Sequence, residues 1–172
     1  NFLSRTVEIL DKHSNVGLVY TQSVIVTPNE DLDYISYKNY MSDLSPDKWN
    51  KDYMEDGETE CSKYLVVRNT IPNVSAVLFR KNILTQADTI VTFSKLCGDW
   101  LTYCNVLKKS DIYFISDFLN YHRFHSDTVR ELTFKSGVYV YDLLRSIDWI
   151  LKNFKIKDDK KNIAIGGFLS EW

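Results

Sequence analysis

The chain is short of the residues that staple a fold, span a membrane or hold nucleic acid. Its 172 residues include three cysteines, Cys61, Cys97 and Cys104, too few for a disulfide framework and without metal-ligand spacing. Free thiols in a reducing compartment are the expectation, and with them a cytoplasmic location. No stretch approaches the roughly 18 apolar residues that crossing a bilayer requires, and no basic-then-apolar leader opens the chain. Attachment to a membrane would have to come through an acceptor or through segments outside these residues. The formal net charge is -2, with lysines and acids dispersed, so composition supplies no electrostatic footprint for nucleic acid. A glycine-rich phosphate loop, a nucleophile elbow and a His-Glu-x-x-His motif are all missing, as are internal repeats and low-complexity tracts.

What is present describes a globular chain. Apolar residues make up 44 % and aromatics 14 %, enough for one core of ordinary size. Phe2, Leu3, Val7, Ile9 and Leu10 recur at helical spacing. The absence of an initiating Met, with a helix already under way at Phe2, leads us to expect a piece of a longer chain. Residues 16–20 and 24–26 read as two short buried strands, closed by a turn at Thr27-Pro28-Asn29. Tyr34, Tyr37 and Tyr40, three residues apart, suit a partly buried helix face. Residues 52–60 read as an exposed loop. Leu65 to Val67 closes a short helix, 69–73 is turn-like around Pro72, 74–79 is a strand and 82–86 a brief helical turn. Residues 99–107 form an amphipathic helix with Leu101, Cys104 and Leu107 on its stripe. Residues 112–115 and 118–121 read as two strands joined by a tight connection at Ser116-Asp117. A long helix follows from near Ser136, carrying Val138, Tyr141, Leu144, Ile147, Leu151 and Phe154, and residues 158–161 read as a solvated break. Residues 163–172 carry no clear pattern. A helix followed by a strand favours an α/β layered fold, a mixed sheet flanked by helices.

A few side chains have chemical potential. Asp99 follows a glycine at a predicted helix start, where unpaired N–H groups and the helix dipole stabilise a carboxylate; it is either a capping residue or a general base. Trp100 offers a flat apolar surface, for a sugar ring or for the core. At the end of the last predicted strand, alternation puts Arg123 and His125 on one side and His122 on the other. Arg123 suits a diphosphate; His125 suits a divalent ion or a phosphate oxygen, although no second ligand stands at metal spacing. Asn69, Asn73 and Ser75 alternate with apolar residues around Pro72, as in a structured turn or in a loop that positions a sugar at a strand end. Asn73-Val74-Ser75 also fits the glycosylation acceptor pattern, but a turn feeding a buried strand argues against its use.

In order, Gly17-Leu18-Val19-Tyr20, then Asn69-Thr70-Ile71-Pro72-Asn73-Val74-Ser75-Ala76-Val77-Leu78-Phe79-Arg80-Lys81, then Cys97-Gly98-Asp99-Trp100-Leu101, then Leu119-Asn120-Tyr121-His122-Arg123-Phe124-His125 resemble the family 2 glycosyltransferases, in particular the bacterial branch associated with cell-surface polysaccharides. The resemblance spans roughly Asn15 to Arg130. It implies part of a GT-A-type α/β fold over residues 1–130, the C-terminal, acceptor-side half of the domain, with residues 131–172 as a helical extension. It implies inverting transfer of a sugar from a nucleotide-sugar donor to a glycan or related acceptor hydroxyl. Gly98-Asp99 matches only the second member of the family's acidic pair, whose Asp is the base, so Asp99 inherits that role. By the same resemblance Arg123 and His125 lie near the diphosphate and a divalent cation, Mg²⁺ or Mn²⁺, with His125 as a candidate ligand; Asn73, Ser75 and Trp100 are candidates for substrate contact. The family's nucleotide-binding βαβ region and its Asp-x-Asp cation motif are not matched ahead of Val16, and Asp31-Leu32-Asp33 reads as coincidental surface acid. The chain alone is therefore expected to hold no cation and no donor, and to expose sheet surface on which it self-associates. A non-catalytic interaction module derived from such a half-domain is the competing reading.

Overall fold

The computed structural model describes residues 1–87, 94, 96–124 and 138–171. Helix α1 (Phe2–Lys12) is capped by Asn1, whose side chain accepts from Ser4 N–H, as expected for an Asx cap. Its C-terminal end is closed by Arg80: the guanidinium donates to Leu10 O at 2.5 Å and His13 O at 3.0 Å, and also to Val16 O of the following strand at 2.9 Å. One cation thus satisfies orphan carbonyls at a helix end and ties α1 to the first strand.

That strand, β1 (Val16–Val26), is continuous and almost wholly buried, not the two short strands expected. Along one edge it runs parallel to β5 (Asp111–Arg123), with Val16 opposite Asp111 and Val26 opposite Arg123. Its other edge pairs antiparallel with β4 (Val77–Phe79) near its start and with β2 (Leu32–Asp33) at its end. A further short strand, β3 (Tyr53–Glu55), lies antiparallel on the far edge of β5. The result is a mixed five-stranded sheet flanked by helices. The turn expected after Val26 is present: Glu30 N–H donates to Thr27 O and Thr27 N–H to Asp31 O.

Several sequence expectations are corrected here. Polar Thr21, Gln22 and Ser23 interrupt the apolar pattern of β1, yet all three are buried. Ser23 Oγ accepts from Asn73 Nδ2 and from Asn120 Nδ2, each at 3.0 Å, so the strand passes through a polar knot instead of ending. Ser116-Asp117 is a bulge within β5 and not a turn between two strands; Ser116 donates from both N and Oγ to Asp52. Residues 52–60 are not an exposed loop: they form β3 and helix α3 (Gly57–Glu60), which continues as a π-type turn (Cys61–Leu65). Residues 74–76 are a 3₁₀ turn ahead of β4. Residues 158–161 open a helix, α7 (Asp158–Glu171), with Asp158 and Asp159 in the first turn where the dipole favours acids. The expected brief helices appear as α2 (Ser36–Ser42), without Tyr34, and α4 (Lys81–Gln86).

The two faces of the sheet are unequally covered. Leu18, Tyr20, Ile112 and Phe114 face a large core closed by α5 (Gly98–Leu107), by α6 (Val138–Asn153) through Ile147 and Ile150, and by Phe154, Ile156 and Ala164. Helix α5 is buried on nearly all sides, so it is a core helix and not the amphipathic one expected; its linings each bury apolar surface at about 1.5–3 kcal/mol per large side chain. On the other face Val16, Val19 and Ile115 form a smaller cluster with Ile9 and Leu10 of α1, edged by Leu78, Tyr113 and Leu119, while Leu3 and Val7 of α1 stay exposed. The start of α6 near Ser136 lies outside the described residues. Among the described residues no helix is long and apolar enough to cross a membrane.

Candidate active site

The loop before α5 is held from across the core. Asp142 of α6, buried, accepts from Leu96 N–H at 3.0 Å and from Ser94 Oγ at 3.3 Å; Ser94 Oγ in turn accepts from Cys97 N–H. This brace sets where Gly98 and Asp99 begin the helix. The N-cap is Cys97, with no side-chain cap, so Asp99 sits inside the first turn and does not cap it. Its Oδ1 accepts from Trp100 N–H at 2.7 Å. Burial pushes the Asp99 carboxyl above the ordinary carboxylate range, while bonds from the Trp100 and Asp99 N–H groups pull the other way. Among the described residues it has no ion-pair partner.

Asp99 and Trp100 line a cavity of about 700 Å³ at the C-terminal ends of β1 and β5. Tyr37 and Tyr40 of α2, Arg68, His122, Phe124, and Tyr139 and Leu143 of α6 form much of the remaining wall. Arg68 is engaged: its fork donates to both carboxylate oxygens of Asp43 at 3.1 and 2.8 Å and to Tyr40 O at 2.6 Å, with the guanidinium over the Tyr40 ring. His122 lies nearly coplanar with Tyr37, ring centroids 6.1 Å apart, and its Nδ1 is hydrogen-bonded to the Tyr37 hydroxyl. Phe124 packs against the imidazole at 5.0 Å. Burial holds the His122 imidazole below its usual value, so it is neutral at pH 7.

The sequence-derived candidates divide accordingly. Asp99 and Trp100 come together in the cavity, although Trp100 is 3 % exposed and its indole N–H donates to Leu65 O at 3.0 Å, which is a packing role. Asn73 is 9 % exposed with both amide atoms engaged: Oδ1 accepts from Ala76 N–H, Ser75 Oγ and Asn120 Nδ2, and Nδ2 donates to Ser23. Asn73 and Ser75 therefore hold β1, β5 and the 3₁₀ turn together, and neither lines the cavity. The strand turns His122 toward the cavity and Arg123 away from it; Arg123 is 64 % exposed and 3.9 Å from Glu30. His125 lies outside the described residues. Asp33 of the Asp31-Leu32-Asp33 match caps α2, accepting from Ile35 and Ser36 N–H. Sequence reasoning missed Asp142, Arg68 and the His122–Tyr37 pair; the three-residue spacing of Tyr37 and Tyr40 was the signal that came nearest.

Among the described residues no group of three His, Cys, Asp or Glu side chains stands together as a metal site. No ligand set for a divalent cation is assigned on these residues. No family model, curated protein or solved structure matches the chain.

Proposed function

We propose that the chain forms the acceptor side of an inverting, GT-A-type nucleotide-sugar glycosyltransferase, with Asp99 as its general base. The single observation that carries the reading is a partly buried carboxylate, without a counter-ion among the described residues, at a helix start, facing an aromatic-lined cavity. It coincides with the residue that the motif order singles out. A carboxyl raised by burial moves toward working pH, where a general base is most effective. Aromatic walls suit a saccharide, whose C–H faces pack on rings while its hydroxyls seek polar partners.

In this reaction the acceptor O–H gives its proton to Asp99 as the oxygen bonds to the anomeric carbon of the donor sugar. The bond from that carbon to the diphosphate oxygen breaks, and the nucleoside diphosphate leaves with the electron pair. Asp99 supplies position as well as basicity, because a hydroxyl held against it needs little reorganisation to attack. The helix dipole at α5 steadies the carboxylate before the proton arrives. In this reading the nucleotide is bound by chain outside these residues, and the exposed Leu3 and Val7 on α1 are where that portion, or a second copy of this chain, packs. Arg123, which faces away from the acceptor cavity, and His125 are the proposed contacts to the diphosphate on the donor side of the site.

The test is Asp99→Asn in the complete enzyme, assayed for sugar transfer: turnover falls by ~10²-fold or more, and unchanged turnover sinks the assignment. A calorimetric titration of the 172-residue chain with UDP, GDP and dTDP sugars plus Mn²⁺ should show nothing tighter than millimolar binding. Micromolar affinity would mean that a donor site lies within this chain.

A further inference from the structure

We propose that His122 binds the acceptor, its Nε2–H donating to a hydroxyl of an uncharged saccharide lodged beside Asp99, and that Tyr37 is the positioning residue that holds the imidazole in that tautomer. The inference rests on the transferase reading of the same cavity for the role of the saccharide, but the ring's geometry stands without it.

Three observations converge on the imidazole. His122 lines the cavity that Asp99 lines. Its Nδ1 is taken by the Tyr37 hydroxyl, while Nε2 makes no hydrogen bond among the described residues. Its plane is held by the in-plane bond from Tyr37, whose ring lies within 1° of parallel to it, and by Phe124 packed against it at 5.0 Å. A neutral imidazole has one donor nitrogen and one acceptor nitrogen. The phenol is the more acidic partner and the unprotonated imidazole nitrogen the better acceptor, so Tyr37 donates to Nδ1 and the ring proton sits on Nε2. A donor held this way loses little entropy when it binds.

The chemistry of the occupant follows from the charges around it. Among the described residues Arg68 is the cation on the wall, and it is forked onto Asp43, while Asp99 is a carboxylate. Among these residues a phosphate or carboxylate ligand would meet Asp99 without a free counter-charge; a polyol meets one neutral donor, one base and several ring faces. Arg123, which the family resemblance placed near the reacting groups, faces Glu30 instead.

The experiment uses the 172-residue chain with ¹⁵N-labelled histidine. Long-range ¹H–¹⁵N spectra at pH 7 should show His122 protonated at Nε2 only, and Tyr37→Phe should shift it toward a mixture of tautomers. An Nδ1–H tautomer or a charged ring in the unmodified chain overturns the proposal. Phenyl β-glucoside, phenyl β-galactoside and phenyl α-mannoside are then titrated, with phenol as the apolar control. At least one glycoside should move the His122 Nε2 signal where phenol does not; no shift from any of them, at concentrations that saturate a millimolar site, overturns it. Binding should weaken roughly tenfold in His122→Phe, the scale of one lost hydrogen bond, and recover to within about threefold in His122→Gln, which keeps a donor at the same reach. In the complete enzyme His122→Phe should raise the acceptor KM with kcat little changed; an unchanged acceptor KM counts against the proposal. Glycoside binding without sugar transfer from any nucleotide donor would defeat the transferase reading while leaving the His122 site in place.

Discussion

Two carboxylates, the buried Glu60 and the half-buried Asp99, look alike by one criterion and differ by another. Burial raises both above the ordinary carboxylate range. Glu60 is 0 % exposed, but Lys48 Nζ lies 3.0 Å from Oε2 and Tyr53 donates to Oε1 at 3.4 Å. The ammonium sits over the rings of Tyr53 and Tyr64, at 3.8 and 4.3 Å from their centroids. The network runs on through Tyr53 to Tyr20 and Trp49. Every element of that cluster looks inward, and none of its members lines the cavity. Among the described residues Asp99 has backbone N–H partners only, and it opens onto a cavity of about 700 Å³. A perturbed carboxyl alone does not mark a site; the distinction is whether the protein or a ligand completes its surroundings.

Breaking the closed cluster should have the largest effect. Lys48→Met strands the Glu60 charge in the core and is expected to cost about 3–5 kcal/mol, whereas Lys48→Met with Glu60→Gln should recover most of it, as read by urea denaturation. No recovery in the double variant would mean that the aromatic contacts of Lys48, and not its charge, carry the stability.

Gly57→Ala attacks the seam between the two regions. A Cβ there would stand 1.9 Å from Leu107 O and 2.4 Å from Ser110 O, backbone atoms at the end of α5 that cannot swing aside. Overpacking at this seam should cost about 1–3 kcal/mol or more and loosen α3, which carries Glu60, from α5, which carries Asp99. A melting temperature unchanged from the unsubstituted chain would contradict the close packing.

Asp99→Asn should act oppositely on stability. The folded carboxyl lies above its unfolded value, so its contribution is fully present below the unfolded pKa and is lost as pH rises through the folded one. The amide, which does not ionise, keeps what the carboxylate loses. The variant should match the parent in acid and exceed it at neutral pH, the difference opening between those two values; destabilisation at pH 7 would make Asp99 a structural residue. The smallest effect belongs to Arg123→Ala. Its contact with Glu30 is exposed, so stability should change by less than about 0.5 kcal/mol. A fall in transfer activity in the complete enzyme would then report on the diphosphate contact.

Periodicity was enough to read α1, because a single buried face leaves its repeat in the sequence; the opening of β1 and the span of α5 were read from apolar content, and the turn after Val26 from Pro28 and Asn29, although the buried face expected of α5 proved to extend nearly all round it. It failed where polar residues are buried. Thr21, Gln22 and Ser23 look like the end of a strand until Asn73 and Asn120 are seen to close on Ser23. Ser116 and Asp117 look like a turn until Asp52 is found receiving the Ser116 donors. Acidic Tyr53-Met54-Glu55 does not read as a strand, yet it pairs with β5 and delivers Tyr53 to the Lys48–Glu60 cluster.

By itself, the sequence determined the α/β class, the helix that begins at Gly98-Asp99 and the candidacy of Asp99, since each depends on neighbours within a turn or a strand. Only the tertiary structure decided that Asp142 braces the loop before that helix, that Asn73 and Ser75 are joints and not contacts, and that His122, rather than Arg123, shares the cavity with Asp99. Apart from the bond of Ser75 to Asn73, these depend on partners 46 or more residues apart, such as Leu96 with Asp142 and Tyr37 with His122. No local repeat encodes such pairings, because the energy that fixes them comes from burying polar groups together, and which groups are buried together is known only once the sheet has formed.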